Sequence, residues 1–274
     1  MENRIISIGG GNMGSAILGG LLAKGYPKEL ITVVDPNPQV QQDMAASYGV
    51  TVLPKCTEIG RNDIVLLAVK PQIMQPVATQ LADLVPNPGP LFISIAAGIT
   101  TAQLGRWLAQ SGSIVRVMPN TPALVGNGAA ALFATQNTSA AERATAESII
   151  GAVGIAEWVD NEALLDVVTA LSGSGPAYFF LFIEIMEKIA VELGLEQAVA
   201  RKLAIETAHG SALLARQSSD SPGILRERVT SPGGTTERAL DILREGNIEG
   251  LLRDALTGAY ERSGELAASA EQKC

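Results

Sequence analysis

A short apolar strand that runs directly into a glycine-rich turn constrains this chain more than any other feature of its sequence. Residues 4–8, Arg-Ile-Ile-Ser-Ile, precede Gly9, Gly11 and Gly14, which have the spacing G-x-G-x-x-G, and a helical pattern follows. In such a unit the first glycine makes a tight turn, the second lets a pyrophosphate approach the backbone, and the third lets helix and strand pack closely. The segment therefore predicts a dinucleotide-binding α/β unit.

The first half of the chain repeats this strand–helix pattern. Short runs rich in Ile and Val predict strands at 4–8, 31–35, 64–69, 91–95 and 113–118. These runs do not alternate strictly between apolar and polar residues, as is typical of a parallel sheet covered on both faces. Helix ends are also readable: Asn37 starts a helix that stops at Gly49, and Thr100 and Gln103 have capping-box spacing before a helix that ends at Gly112.

The pattern continues until the region near Asp160. Ser139 and Glu142 have the spacing of a second capping box, and residues 155–159 add a last strand. Alternating strands and helices predict a doubly wound parallel sheet of the Rossmann type. We therefore expect a dinucleotide-binding domain over residues 1–160.

The second half, residues 161–274, is predicted to be an all-α domain. Its helical patterns cover residues 162–172, 176–193, 196–217, 222–228, 236–245 and 248–271. The helix that begins at Pro176 carries aromatic and aliphatic residues on nearly every side, so it needs burial all round. A domain this small has difficulty enclosing such a helix, which predicts a homodimer, or a multiple of dimers, built through these helices.

Composition and charge exclude several classes of function. The net charge of −8 comes without any cluster of Lys or Arg, so the sequence predicts neither nucleic-acid binding nor attraction to an anionic membrane. The longest apolar stretch, Ala177 to Ile183, is shorter than the roughly 20 residues of a membrane helix. Cys56 and Cys274 form no disulfide framework, no His/Cys cluster has metal spacing, and no signal peptide precedes the first strand. We expect a cytoplasmic protein without a metal.

Candidate cofactor residues follow the ends of the predicted strands, because ligands of open α/β sheets bind beyond the carboxyl ends of the strands. Asp35 lies 21 residues after Gly14. A carboxylate there accepts hydrogen bonds from the ribose hydroxyls of NAD and repels the 2′-phosphate of NADP; alternatively, it only starts a turn. For Lys70, a phosphate contact and a solvated side chain are both open. The predicted contacts to NADPH or NADH are Gly9, Gly11, Asn12, Met13, Gly14, Asp35, Ala68, Val69, Lys70, Pro71, Ile95, Ala96 and Ala97.

A second ligand loop is predicted at residues 229–236, Val-Thr-Ser-Pro-Gly-Gly-Thr-Thr, directly before a helix. Glycines permit close approach, backbone amides at a helix start point outward, and hydroxyls complete a site for a small anion such as a carboxylate. The same composition also suits an ordinary helix start. A second glycine–serine turn at 171–177 opens another helix, and 118–122, Met-Pro-Asn-Thr-Pro, follows a strand at the cofactor edge.

Together, these motifs resemble those of pyrroline-5-carboxylate reductases over almost the whole chain. The matching segments are 8–13, 68–71, 116–122, 172–178 and 229–236. The resemblance implies a Rossmann domain followed by a helical dimerisation domain. It also implies reduction of 1-pyrroline-5-carboxylate to L-proline, the last step of proline synthesis, with NADPH or NADH as hydride donor.

The resemblance also implies the residues of the substrate site. Thr236 is the candidate catalytic residue, with its hydroxyl near the imine nitrogen, while backbone amides of Gly234 and Thr235 hold the carboxylate. Because a threonine hydroxyl is a poor acid, Thr236 orients the ring or relays a proton from water; alternatively, it bonds its own helix backbone. For Glu162, a solvated first-turn glutamate is the alternative. The predicted substrate contacts are Asn120, Glu162, Pro176, Ser231, Gly233, Gly234, Thr235 and Thr236.

The chain departs from the family pattern at two positions, and two other classes of function stay open. Relatives often carry an acid where Ser219 stands, and several have an uncharged or basic residue in place of Asp35, which leaves the coenzyme preference open. A β-hydroxyacid dehydrogenase would place a lysine early in the helix that begins at Pro176, whereas the first one here is Lys188. A non-catalytic NAD(P)H sensor would not need the 229–236 loop. His209, the only histidine, lies mid-helix, where a packing role is predicted.

Overall fold

A computed structural model describes residues 3–109 and 112–272, and Cys274 lies outside them. The described chain divides into two compact units: residues up to Ser174 together with those from Ala259 onward, and residues Gly175–Gly258. The domain boundary predicted between residues 160 and 161 stays a prediction.

The first unit is built on one eight-stranded sheet. Its strands have the order β3-β2-β1-β4-β5-β6-β7-β8, and every pairing is parallel except the antiparallel β6–β7 pair. The predicted doubly wound α/β sheet is confirmed. The strands are β1 Ile5–Ile8, β2 Ile31–Val34, β3 Thr51–Leu53, β4 Ile64–Leu67, β5 Leu91–Ser94, β6 Ile114–Met118, β7 Gly128–Ala134 and β8 Gly154–Trp158.

Two of these strands were not expected from the sequence. β3 has three residues, and β7, Gly-Ala-Ala-Ala-Leu-Phe-Ala, is dominated by alanine, which carries little strand signal. β7 exists because its backbone pairs on one side with β6 and on the other with β8. Its position is therefore decided by tertiary pairing rather than by local propensity.

Helices cover both faces of the sheet. Alternate residues along each strand point to opposite faces, so Ile5 packs in one buried cluster with residues of α1 and α2, whereas Ile6 packs in another with residues of α3 and α4. The helices are α1 Asn12–Ala23, α2 Pro38–Tyr48, α3 Pro71–Ala82, α4 Thr101–Trp107, α5 Ala140–Ile150 and α6 Leu164–Val168, and a π-helical segment, Thr169–Gly173, follows α6.

Most of the helix ends predicted from local sequence signals are confirmed. The side chains of Asn37, Thr100 and Ser139 each accept a backbone amide at a helix start, and the last two form complete capping boxes. α2 ends at Gly49, which has a left-handed backbone. The expected end of α4 at Gly112 was wrong: the helix stops at Trp107.

The second unit is all-α, as predicted for this part of the chain. It consists of α7 Gly175–Glu192, α8 Gln197–Gln217, α9 Pro222–Arg228, α10 Thr235–Glu245 and the first part of α11 Ile248–Gln272. α7 and α8 pack against each other, and the buried residues of α8 are Ala200 and Ala204. Among the residues that the structure describes, one helical stretch, Leu164–Glu192, is long and apolar enough to span a membrane by length and composition. It contains the π-helical segment, and a core helix passes the same test.

Candidate functional site

The glycine-rich turn at the carboxyl end of β1 is shaped by close backbone contacts. The Gly9 amide donates to the Val34 carbonyl at 2.8 Å, and Gly9 has a φ of 102°. A Cβ on Gly9 would lie 2.7 Å from the Ala68 carbonyl oxygen, and one on Gly14 would lie 3.0 Å from the Gly9 carbonyl oxygen. Only glycine therefore fits at these two positions without a shift of backbone.

Gly11 differs because the space around it is open. No heavy atom lies within 4 Å of a Cβ placed there, and Gly11 is the N-cap of α1 without a side-chain cap. The first amides of a helix have no intrahelical acceptor, and they attract an anion. Asn12 and Met13 supply the first two of these amides. This cradle of close glycines around an open helix start fits a dinucleotide pyrophosphate.

Asp35 is held by the glycine-rich turn as well as by its own turn. Its Oδ2 accepts the Gly10 amide at 3.0 Å, and its Oδ1 accepts the Asn37 amide at 2.9 Å. The local-turn alternative is therefore realised, and a tether to the glycine-rich turn is added to it. Each carboxylate oxygen retains capacity for a second hydrogen bond, so contact with a ribose stays a prediction.

The other predicted cofactor residues follow β4 and β5 at the same edge. The Ala68 amide donates to the Ile8 carbonyl at 2.8 Å, and exposed Lys70 precedes Pro71, the first residue of α3. After β5, Ala96 is buried and Ala97 is exposed. The first unit thus brings the predicted cofactor residues together along the carboxyl edge of β1, β2, β4 and β5.

Two predicted substrate residues, Asn120 and Glu162, lie in the first unit and have protein partners. Asn120 is 8% exposed; its Nδ2 donates to the Ser172 carbonyl at 3.0 Å, and its Oδ1 accepts the Ala129 amide at 2.8 Å. Glu162 accepts the amide and hydroxyl of Thr101, both at 2.8 Å. Neither side chain is a free polar group, and direct contact with the substrate stays a prediction for both.

Buried Arg116 is a polar residue whose role the sequence reasoning missed. It lies in β6 with 4% of its surface exposed, and its Nη1 donates to Glu162 Oε1 at 3.1 Å. Its Nη2 lies 3.9 Å from Asp166 Oδ1, and Asp166 also accepts the Ser263 hydroxyl at 2.7 Å. A charged residue within an otherwise apolar strand was the available signal, since such a residue is rarely buried unless paired.

The remaining predicted substrate residues lie in the second unit. In the 229–236 loop, Gly233 has a φ of 70°, and its amide donates to Glu237 Oε2 at 2.7 Å. The Gly234 amide donates to the Ser231 carbonyl at 2.9 Å, so it is not free for the carboxylate contact that the family resemblance implies for it. Thr235 and Thr236 begin α10, and their amides have no intrahelical acceptor.

The Thr236 side chain is half-buried, and its hydroxyl makes no hydrogen bond within the part of the chain that the structure describes. Pro176 is the second residue of α7. His209 is exposed on α8 in the single chain, with Nδ1 3.9 Å from Glu206 Oε2, and the packing role predicted for it stays a prediction. No group of three His, Cys, Asp or Glu residues suitable for a metal ion occurs within 3–109 and 112–272.

The fold and the glycine cradle define a dinucleotide-binding α/β class of protein, and comparison with known proteins refines this class. Residues 4–98 match a family model described as NADP oxidoreductase, coenzyme F420-dependent, and residues 162–266 match one described as pyrroline-5-carboxylate reductase dimerisation. The chain is 44% identical to a pyrroline-5-carboxylate reductase of Pseudomonas aeruginosa over 265 residues, which cover 96% of this chain and 97% of that protein.

Solved structures agree with this assignment. A pyrroline-5-carboxylate reductase from Coxiella burnetii, 40% identical, superposes with a TM-score of 0.92 and covers 97% of this chain and 98% of that one. The Plasmodium falciparum pyrroline carboxylate reductase with NADP bound is 27% identical with a TM-score of 0.83, at 97% and 98% coverage. The chain belongs to the pyrroline-5-carboxylate reductase family, whose NAD(P)H-dependent enzymes convert 1-pyrroline-5-carboxylate to proline. The β-hydroxyacid dehydrogenase alternative is thereby set aside.

Proposed function

We propose that this reductase binds its coenzyme along the carboxyl edge of β1, β2, β4 and β5 and its substrate with the 229–236 loop. The observation that carries the first part is the glycine cradle. A Cβ at Gly9 would meet backbone, whereas Gly11 has open space at the uncapped start of α1. That combination leaves room for a pyrophosphate where unpaired helix amides attract it.

For the substrate we propose that the amides at the start of α10 bind the carboxylate and that the Thr236 hydroxyl orients the imine nitrogen. Thr235 and Thr236 offer two unpaired amides, and the Thr236 hydroxyl has no partner among the described residues. A reduced coenzyme held at Gly9, Gly11 and the start of α1 would supply the hydride. The chain itself holds the ring, keeps the imine nitrogen hydrogen-bonded, and passes a proton from water to it.

The negative charge of Asp35 bears on which coenzyme, NADH or NADPH, is preferred. Asp35 places a carboxylate at the end of β2, where it accepts two backbone amides and keeps free acceptor positions. Because a carboxylate accepts ribose hydroxyls and repels a 2′-phosphate, we propose that Asp35 favours NADH relative to a neutral residue at this position.

We further propose that two or more copies assemble through the helices of the second unit and that the enzyme works in the cytoplasm. The match of residues 162–266 to a dimerisation family supports the assembly. The exposed aromatic side chains of α7 support it as well, because a single chain leaves them in water.

The experiment that tests the substrate site is oxidation of NADPH and NADH with 1-pyrroline-5-carboxylate, followed by absorbance of the reduced coenzyme. Thr236→Ala should lower kcat roughly 10- to 100-fold, since one hydrogen bond to a charged group contributes about 1.5–3 kcal/mol. Thr236→Ser keeps the hydroxyl and should restore most of the rate. Thr145→Ala, on α5 where the hydroxyl bonds the Ala141 carbonyl, is the matched control.

The outcomes separate the proposals. Turnover that is unchanged in Thr236→Ala would remove Thr236 from the catalytic site while leaving the reductase activity intact. Tight coenzyme binding without any turnover of 1-pyrroline-5-carboxylate would contradict the proposed function and would favour the sensor alternative.

A further inference from the structure

The buried ion pair of Arg116 and Glu162 connects β6 to a distant segment of the first unit. The guanidinium is 4% exposed on its side chain and the carboxylate is 21% exposed, with 3.1 Å between Nη1 and Oε1. Desolvation of such a pair costs about as much as its attraction returns, so it is weak evidence for stability. A buried pair of this kind is better explained by a geometry that it holds in place.

Glu162 extends this connection to the start of α4. Its Oε1 also accepts the Thr101 amide, and its Oε2 accepts the Thr101 hydroxyl, both at 2.8 Å. The Thr101 amide is in the first turn of α4 and has no intrahelical acceptor. Glu162 therefore caps α4 from a position 61 residues away in the sequence, and Arg116 neutralises the charge of the cap.

The turn directly before Thr101 is the one that carries predicted coenzyme contacts. We call residues 95–100 the coenzyme-side turn. Its first residue is fixed to the sheet, because the Ile95 amide donates to the Leu67 carbonyl at 3.2 Å. Its middle is restricted by Gly98, which has a φ of 72°, and by Ile99, which is 1% exposed. Its last residue, Thr100, leads into the capping box of α4.

The end of the coenzyme-side turn is bonded to a distant segment of the first unit, because Thr101 donates to Glu162. Its middle lies beside α11, since a Cβ on Gly98 would be 3.6 Å from the Ala267 amide nitrogen. Ala96 and Ala97 lie between the two fixed ends, so their backbone position follows from both of them. A shift at Thr101 is transmitted to these residues because the turn between the sheet and α4 is short.

We propose that Arg116 and Glu162 are positioning residues that act through Thr101 to hold the coenzyme-side turn in its binding geometry. The proposal rests on the proposed coenzyme site. It assigns Glu162 to the geometry of that site instead of to direct contact with the substrate, since three hydrogen bonds already occupy its two oxygens. Loosening the pair should therefore weaken coenzyme binding more than substrate binding.

The experiment compares variants that loosen the connection in steps. Thr101→Val removes only the hydroxyl bond to Glu162, and Thr101→Ser keeps it. Glu162→Gln removes the charge and one acceptor. We expect Thr101→Val and Glu162→Gln to raise the dissociation constants of NADH and NADPH about fivefold or more, as the loss of one hydrogen bond implies. The KM for 1-pyrroline-5-carboxylate should change less than about twofold, and Thr101→Ser should behave as the wild type.

A second arginine pair in the same unit provides the matched control. Arg4 donates from Nε and Nη2 to Asp63 at 3.1 and 2.7 Å, before β1 and β4, at the opposite edge of the sheet. Arg4→Met should lower the melting temperature without changing coenzyme affinity. All variants are measured below their melting temperatures, so that loss of folded protein does not imitate weak binding.

The results overturn the proposal in either of two cases. One is that Thr101→Val leaves the dissociation constants of both coenzymes unchanged. The other is that Arg4→Met weakens coenzyme binding as much as Glu162→Gln does, since both would then act through stability. The dissociation constants come from coenzyme fluorescence and need no turnover. A wild type that binds coenzyme but does not reduce 1-pyrroline-5-carboxylate would therefore count against the proposed function and not against this inference.

Discussion

The first unit of this chain buries its large apolar residues, whereas the second unit leaves many of its own exposed. In the first unit Phe92 is fully buried in β5, between strands that helices cover on both faces. In the second unit Phe179 and Phe180 of α7 are 66% and 65% exposed in the single chain. The buried residues of the second unit are Gly175, Ala200 and Ala204, all small. A doubly wound sheet encloses its own core, whereas a few helices of this length do not.

This difference explains why the match to a dimerisation family falls where it does. The family model covers residues 162–266, which contain all of the second unit. Exposed Leu, Ile and Phe side chains cost free energy in water, and a second copy is the cover that a symmetric interface provides. The first unit should therefore respond to mutation as an independent core, and the second as an interface.

The largest expected effect is on assembly. Phe180→Asp places a charge on α7 in each copy and removes two phenylalanines that the proposed interface buries, which should cost a symmetric dimer roughly 3–6 kcal/mol. Light scattering should show dissociation, and the melting temperature should fall. The control is Ile73→Asp on α3 of the first unit, where Ile73 is 49% exposed. An unchanged molar mass for Phe180→Asp would contradict the claim that the second unit responds to mutation as an interface.

A cavity in the first unit should cost nearly as much without dissociation. Phe92→Ala is expected to lower the free energy of unfolding by about 3–5 kcal/mol, because Phe92 is fully buried and its neighbours collapse only partly. Urea denaturation measures the loss, and light scattering of the folded variant should still show the wild-type assembly. Phe92→Leu should cost less. A loss below about 1 kcal/mol would show that this core tolerates a cavity.

Two glycines with nearly equal φ angles, one in each unit, sharpen the comparison. Gly9 and Gly194 have φ values of 102° and 103°, but a Cβ at Gly9 would lie 2.7 Å from the Ala68 carbonyl oxygen, whereas nothing lies within 4 Å at Gly194. Both alanine variants carry backbone strain of about 1–3 kcal/mol. Only Gly9→Ala should also abolish coenzyme binding, measured by fluorescence titration. Equal coenzyme affinity in the two variants would contradict the proposed glycine cradle.

A charge change at the cofactor edge should have a smaller effect, measured as a change in coenzyme choice. Asp35→Asn removes the charge, worth about 1 kcal/mol at roughly 4 Å in water, and keeps one of the two acceptor oxygens that bind the Gly10 and Asn37 amides. The ratio of kcat/KM for NADPH to that for NADH should rise about fivefold. Asp43→Asn, on exposed α2, should leave the ratio unchanged. An unchanged ratio in Asp35→Asn would show that the charge of Asp35 does not act on the ribose or its 2′-phosphate.

The smallest expected effect is a pH dependence of the capping box of α5. Burial alone would raise the pKa of Glu142, but hydrogen bonds from the Ser139 side chain and backbone lower it below its ordinary value. A carboxyl with a lowered pKa contributes stability above its unfolded pKa, and this contribution is lost as pH falls through the folded pKa. Glu142→Gln should cost about 0.5–1 kcal/mol at neutral pH. Melting temperatures of variant and wild type should converge in acid; a constant difference would contradict this.

Much of the fold could be predicted from the sequence because its signals are local. The capping boxes at Thr100 and Ser139, the stop at Gly49 and the spacing of the glycine-rich turn each involve residues within a few positions of one another. Hydrogen-bond geometry and the steric freedom of glycine determine such features before any tertiary contact forms. The helices of the second unit were predicted nearly to the residue for the same reason.

Other features were decided only by the tertiary structure, because their partners are distant in sequence. The alanine-rich β7 becomes a strand when β6 and β8 supply its hydrogen bonds. Glu162 is hydrogen-bonded to Thr101 and Arg116, and Asn120 to Ser172, although tens of residues separate these partners in the sequence. A sequence shows that these side chains are polar and where they stand in the chain. Which buried donor meets which acceptor follows from packing, since the fold must satisfy each of them once water is excluded.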